Sequence, residues 1–178
     1  MARSADAVPR PAWAVVPAKS FAHGKSRLSP VLADEERARF AGGLLEHTLT
    51  VLGAAGLDGV LVATDGDDVE AFAKAHGAAV LRDGGTTTLA AVVDAALDAV
   101  AQRGARAAVV FMADLPNLAG EDVRQIVGAL ASYDVAVVRD HKGPHTNALA
   151  LAPPGAIRTC SPGFSLKVVN FAPCTAGS

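Results

Sequence analysis

Short apolar runs of four to six residues alternate along this chain with amphipathic segments of about 10 to 15 residues, and this alternation narrows the fold more than any other feature. The runs are Trp13 to Pro17, Val60 to Ala63, Ala78 to Leu81, Ala107 to Met112, Val135 to Val138 and Ala148 to Leu151. Ala107 to Met112 is apolar throughout, as expected of a central strand. Between the runs, apolar residues recur at helical spacing. Phe40, Leu44, Leu45, Thr48, Leu49 and Leu52 share one face. Asp34 reads as the N-cap of that helix, with Glu35 and Glu36 in the first turn, and Gly56 as its stop. Val69, Phe72 and Ala73 mark a short helix ending at Gly77, with His76 at its end. Leu89, Val92, Val93, Ala96, Leu97 and Val100 form a cleaner stripe, and Val123, Ile126, Val127 and Leu130 form another. Strands alternating with helices predict βαβ units, hence a three-layer α/β/α fold around a mostly parallel sheet.

Hydrophobic residues make up 51% of the 178 residues and aromatics only 4%, so the core must be built from Ala, Val and Leu. The formal net charge is −2, which excludes a strongly basic nucleic-acid binder. No apolar run approaches the roughly 18 residues that span a bilayer. The stretch Met1 to Pro11 has no apolar segment of the kind a signal peptide needs. Cys160 and Cys174 fit no zinc or redox spacing. A cytoplasmic protein, with no nucleic acid and no membrane as partner, is expected.

In sheets of this kind ligands sit beyond the carboxyl ends of the strands. The residues to inspect therefore follow Val16, Ala63, Met112 and Val138. Neither GxGxxG nor GxxxxGK[ST] occurs after the first run, so neither a dinucleotide fold nor a P-loop is supported. Lys19, Lys25 and Arg27 instead place three cations within nine residues after the first strand. Arg offers a planar fork for phosphate oxygens and Lys a point charge, so the stretch reads either as a triphosphate cradle or as a solvated basic loop. Asp114 ends the most apolar strand, before Leu115-Pro116. It reads either as an Mg²⁺ ligand in the crevice or as a turn residue. Thr146 and Asn147, beside Gly143 and His145, offer a hydroxyl and an amide to an anionic substrate, or a plain hydrogen-bonded turn.

Taken together, Val16-Pro17-Ala18-Lys19, Gly24-Lys25-Ser26-Arg27-Leu28-Ser29-Pro30, Ala113-Asp114-Leu115-Pro116 and Thr146-Asn147-Ala148-Leu149 resemble the family of 2-phospho-L-lactate / phosphoenolpyruvate guanylyltransferases. That family makes the guanylylated precursor of the deazaflavin coenzyme F420. The resemblance covers roughly residues 12 to 152. It implies the Rossmann-like nucleotidyltransferase fold, with GTP and a small phosphorylated acid as partners and Mg²⁺ as cofactor. Lys19, Lys25 and Arg27 would contact phosphates, Lys25 and Asp114 would serve catalysis, and Asp114 would hold the metal. Thr146, Asn147, Ser161 and Ser165 would hold the acid substrate.

Three stretches depart from the family pattern. Thr87-Thr88-Leu89-Ala90-Ala91 stands where a Leu-Asn-x-Ala opens the third helix. Cys160 to Ser165 stands for a Phe-Gly-x-x-Ser element, with Ser161 in the Gly place. The family's later Asp-x-Asp has no counterpart, since no Asp or Glu follows Asp140. Residues 1–11 are therefore expected to be a disordered extension, 12–152 the nucleotidyltransferase domain, and 153–178 an atypical segment, truncated or frameshifted. The leading expectation is a GTP-dependent guanylyltransferase. The alternative is a catalytically impaired or non-catalytic nucleotide-binding homologue. Asp65 and Asp140 are the remaining candidates for a second carboxylate, with Asp65 disfavoured because Asp67 and Asp68 suggest a helix-capping cluster. The apolar stretch Val168 to Phe171 suggests packing against a second copy, as a homodimer.

Overall fold

The computed structural model describes residues 8–22, 28–84, 88–139 and 146–157. Among the described residues ten elements follow one another as β1 (Ala12–Pro17), α1 (Asp34–Ala54), β2 (Gly59–Thr64), α2 (Asp67–Ala75), β3 (Ala79–Arg82), α3 (Leu89–Gln102), β4 (Ala107–Phe111), α4 (Gly120–Ala129), β5 (Val135–Arg139) and β6 (Thr146–Leu151). The strands form a six-stranded sheet in the order β3-β2-β1-β4-β6-β5. β3, β2, β1 and β4 are mutually parallel, and β6 runs antiparallel to both of its neighbours. The expected mostly parallel sheet is thus present, with one reversed strand inserted near an edge.

Period-two alternation in β1 divides the core between the two faces of the sheet. Ala12, Ala14 and Val16 face a cluster that includes Leu45, Leu49 and Leu52 of α1, Val69 of α2, and Val123 and Ile126 of α4. Val15 faces the other way, into a cluster built on Val92, Val93, Ala96, Leu97 and Val100 of α3. Among the described elements three helices therefore cover one face and α3 the other, giving the three layers. Phe111, 2% exposed, is the largest of the fully buried side chains on the three-helix side.

Two local expectations need correction. Asp34 is not the N-cap of α1 but its first residue; the cap is Ala33. Alanine has no side chain to cap with, so the Ala33 N–H donates instead to Glu36 Oε2 at 2.8 Å. Phe40, read as part of the buried stripe, is 48% exposed. The reason is length. Twenty-one helical residues run about 32 Å, whereas a six-residue strand covers about 20 Å, so the first turns of α1 overhang the sheet.

The stretch before β1 is not loose over its last residues. Val8 packs against the core, and the Arg10 guanidinium donates to Gly56 O at 3.0 Å and pairs with Asp58 at 3.0 Å. Asp58 Oδ2 accepts the Ala12 N–H at 2.7 Å, and the Asp58 N–H donates back to Ala12 O at 2.8 Å. The expectation of a disordered extension therefore fails for residues 8–11. Residues 1–7 lie outside the described residues.

Candidate active site at the carboxyl edge of the sheet

Lys19 and Asp114 come to the same edge of the sheet through strand register. Val15 of β1 lies opposite Val110 of β4, and Lys19 and Asp114 each stand four residues beyond that pair. Both are exposed. β6 is antiparallel to β4, so it delivers its beginning rather than its end to this edge. Phe111 pairs with Ala148, and the Met112 N–H reaches Asn147 O at 3.4 Å. Thr146, exposed, and Asn147, half-buried, therefore sit beside the Met112–Asp114 segment. A cation, a carboxylate and a hydroxyl–amide pair thus lie at the same edge of three adjacent strands. With neighbouring strands about 4.8 Å apart, the row from β1 to β6 is roughly 10 Å wide.

The segment after β4 is shaped by its own turn and by α1. The Leu118 N–H donates to Leu115 O at 3.2 Å, and His47 Nε2 of α1 lies 3.0 Å from Leu118 O. A hydrogen bond there requires His47 to carry its proton on Nε2. No local sequence pattern points to His47, because its partner lies 71 residues away.

The segment after β1 is held by the β2–α2 turn. The Ala18 N–H extends the β1–β2 ladder to Ala63 O at 2.9 Å. The Ser20 N–H donates to Asp65 Oδ1 at 3.1 Å and Ser20 Oγ to Asp68 Oδ2 at 3.0 Å, while the Phe21 N–H donates to the same Asp68 oxygen at 2.8 Å. Phe21 stacks edge-on against Phe72 of α2, and Phe72 stacks on His76. The reading of Asp65, Asp67 and Asp68 as a helix-capping cluster is therefore only partly right. The N-cap of α2 is Gly66, and no side chain caps it. Asp68 does accept the Val69 N–H at 2.8 Å, but its other oxygen, like Asp65, reaches across to the β1 segment. Asp67 pairs with Arg82 at the end of β3.

Lys25, Arg27, Asp140, Ser161 and Ser165 lie outside the described residues. Thr88, in one of the stretches that departs from the family pattern, is the N-cap of α3, where its hydroxyl accepts the Ala91 N–H at 3.3 Å. A shallow depression lined by Val8, Arg10, Leu57, Val123 and Val127 lies at the opposite, amino-terminal edge of the sheet. It is lined mainly by aliphatic side chains and contains none of the candidate site residues.

Among the described residues no three His, Cys, Asp or Glu side chains converge as a metal cage. That arrangement still suits Mg²⁺, which keeps most of its waters and takes one or two carboxylates together with substrate phosphates. Asp114 supplies a hard oxygen donor at the solvent-open edge. Asp65 stands at the same edge, with one oxygen committed to Ser20.

A family model described as "Guanylyl transferase CofC like" matches residues 12–167. The chain belongs to that family. As a CofC-like guanylyl transferase it is 35% identical over 145 residues to the phosphoenolpyruvate guanylyltransferase of Sphaerobacter thermophilus, covering 81% of this chain and 70% of that protein. It is 31% identical over 140 residues to the 2-phospho-L-lactate guanylyltransferase of Methanothermobacter thermautotrophicus, covering 79% and 61%. The CofC-like chain thus spans about two thirds of the length of these curated relatives. A nucleotidyl transferase from Methanothermobacter thermautotrophicus superposes with a TM-score of 0.60 at 18% identity, over 81% of this chain and 72% of that one, which confirms the nucleotidyltransferase fold. No helix among the described residues is long and apolar enough to cross a membrane.

Proposed function

We propose that this CofC-like protein transfers GMP from GTP to phosphoenolpyruvate or 2-phospho-L-lactate in the cytoplasm, with release of pyrophosphate, as a step toward coenzyme F420. One observation carries the reading: Lys19 and Asp114 follow the adjacent strands β1 and β4, and the Thr146–Asn147 pair opens the next strand, β6, at the same sheet edge, in a chain of the guanylyl transferase family.

In the reaction, a phosphate oxygen of the acid attacks the α-phosphorus of GTP in line. A new P–O bond forms, and the bond to the β-phosphate bridging oxygen breaks. Pyrophosphate leaves with that electron pair. No protein nucleophile takes part, so catalysis is positioning and neutralisation of charge. Lys19, two residues beyond the end of β1, offsets negative charge on the departing pyrophosphate. Thr146 and Asn147 bind and orient the acid, and Asp114 holds Mg²⁺. When bound, Mg²⁺ supplies neutralisation of the phosphate oxygens. Lys25 and Arg27 are proposed to add to the phosphate contacts, and Ser161 and Ser165 to those of the acid.

The test is pyrophosphate release by the full chain, with GTP and each of phosphoenolpyruvate, 2-phospho-L-lactate and phosphoglycerate, with and without Mg²⁺. Release should need GTP, Mg²⁺ and one of the first two acids together. Asp114→Asn should abolish it while leaving the unfolding midpoint nearly unchanged, since Asp114 is exposed. Release by Asp114→Asn at the wild-type rate with limiting Mg²⁺ would remove Asp114 from the site. GTP binding without turnover on any acid would instead establish the impaired homologue.

A further inference from the structure

We infer that Asp68, Ser20 and Gly66 act as positioning residues that fix the backbone from which Lys19 reaches the nucleotide. The inference rests on the proposed reading of Lys19 as a phosphate contact.

Lys19 is bracketed. The residue before it is tied to β2 by the Ala18 N–H to Ala63 O bond, at 2.9 Å. The residue after it is tied to the β2–α2 turn twice, through the Ser20 N–H to Asp65 and the Ser20 hydroxyl to Asp68. Asp68 then also takes the Phe21 N–H, and the Ala22 N–H turns back to Ser20 Oγ at 3.3 Å. Five hydrogen bonds thus converge on residues 18–22, immediately around one exposed cation.

Gly66 sets how closely the two segments approach. It is buried, and its N–H donates to Thr64 Oγ1, itself fully buried, at 3.1 Å. A Cβ at position 66 would stand 2.6 Å from Ser20 Cβ and 2.7 Å from Ser20 Cα. The second of these is backbone and cannot rotate away, so any side chain at 66 must push the Lys19–Ser20 segment outward. Only glycine permits this contact.

The hydrogen bonds from Ser20 and Phe21 are solvent-exposed, and exposed polar contacts contribute little to global stability. Lysine, in contrast, carries its charge on a flexible four-carbon stem with large rotamer entropy. Anchoring its backbone on both sides lowers the ordering cost when a phosphate binds. The arrangement therefore contributes to nucleotide affinity and placement more than to fold stability.

The experiment measures GTP affinity by calorimetry and KM for GTP against kcat in the full chain, for Lys19→Ala, Ser20→Ala, Asp68→Asn and Gly66→Ala. Each of the last three is also combined with Lys19→Ala, and unfolding midpoints are recorded. Ser20→Ala and Asp68→Asn should weaken GTP binding about three- to tenfold, the loss of one or two hydrogen bonds. KM for GTP should rise with kcat less affected, and Gly66→Ala should act in the same direction. In the Lys19→Ala background these variants should add little, because they act through Lys19. Unchanged GTP affinity in folded Ser20→Ala and Asp68→Asn would overturn the positioning role. So would a full additional loss in the Lys19→Ala background. If Lys19→Ala itself leaves GTP affinity unchanged, the reading of Lys19 falls, and the positioning role falls with it.

Discussion

Replacing Asp58 by Ala should cost this protein about 2 kcal/mol of stability, far more than replacing its ion-pair partner Arg10. Asp58 makes two kinds of contact. Its pair with Arg10 is exposed, at 51% for the Arg side chain and 34% for the Asp, and pairs of that kind contribute about 0–1 kcal/mol. Its bond from the Ala12 N–H is different. Ala12 is fully buried and opens the central strand β1, and the 2.7 Å bond to Asp58 Oδ2 satisfies its amide. Hydrogen bonds to charged groups are worth about 1.5–3 kcal/mol. Partial access of water to Asp58 argues for the lower half of that range. Asp58→Ala should therefore lower the thermal midpoint by about 4–8 °C in a domain of this size. Arg10→Ala should lower it by no more than about 2–4 °C. Urea unfolding of both single variants and the double variant checks this. If Arg10→Ala costs as much as Asp58→Ala, the contacts of Arg10 with Asp58 and Gly56 O rather than the strand amide are what matter, and the reasoning is wrong.

Glu70 on α2 has its carboxyl held below the ordinary range, chiefly by the hydrogen bond from Lys74 and further by Arg82. A lowered folded value means the stabilisation is present above the ordinary 4.5 and is lost as pH falls through the folded value. The gap in unfolding midpoint between the wild type and Glu70→Gln should accordingly be open at neutral pH and close in acid. A gap that widens on acidification would contradict this. His47→Ala should free the Leu115–Leu118 turn from α1 at a cost of about 0.5–1.5 kcal/mol, seen as faster amide exchange at Leu118. Phe111→Ala should cost about 3–5 kcal/mol by leaving a cavity between the sheet and its three-helix layer, measurable by denaturant titration.

The six strands are legible in the sequence because each is a short apolar run between amphipathic or polar segments, and their ends fall within about two residues of the expectation. The reversal of β6 is not legible. An apolar run such as Ala148 to Leu151 reads the same in either direction, and only its pairing with β4 reveals the sense. Lys19, Asp114, Thr146 and Asn147 could be singled out because they follow or open such runs. Their arrival on adjacent strands depends on strand order, which local patterns do not encode. The tie between Asp68 and Ser20 was missed because the two residues are 48 apart in the chain. Next to Asp65 and Asp67, a third acid near a helix start looks like a local cap. Ala33 was passed over as a cap for the opposite reason, since the capping atom belongs to Glu36.

The place of β1 between β2 and β4 bears on how the chain is made. During synthesis β1, β2 and β3 can pair as soon as Arg82 has emerged. The other edge of β1 stays open until Ala107 to Phe111 appears. At about 5–20 residues per second, the roughly 25 residues between Arg82 and Ala107 take one to a few seconds to add. For that interval a strand apolar on both faces presents a row of unpaired backbone groups, the kind of edge on which chains aggregate. α3, which emerges in the gap, can cover a face of the sheet but not its edge. Translation speed through residues 83–106 therefore sets how long this buried central strand stands open to other nascent chains.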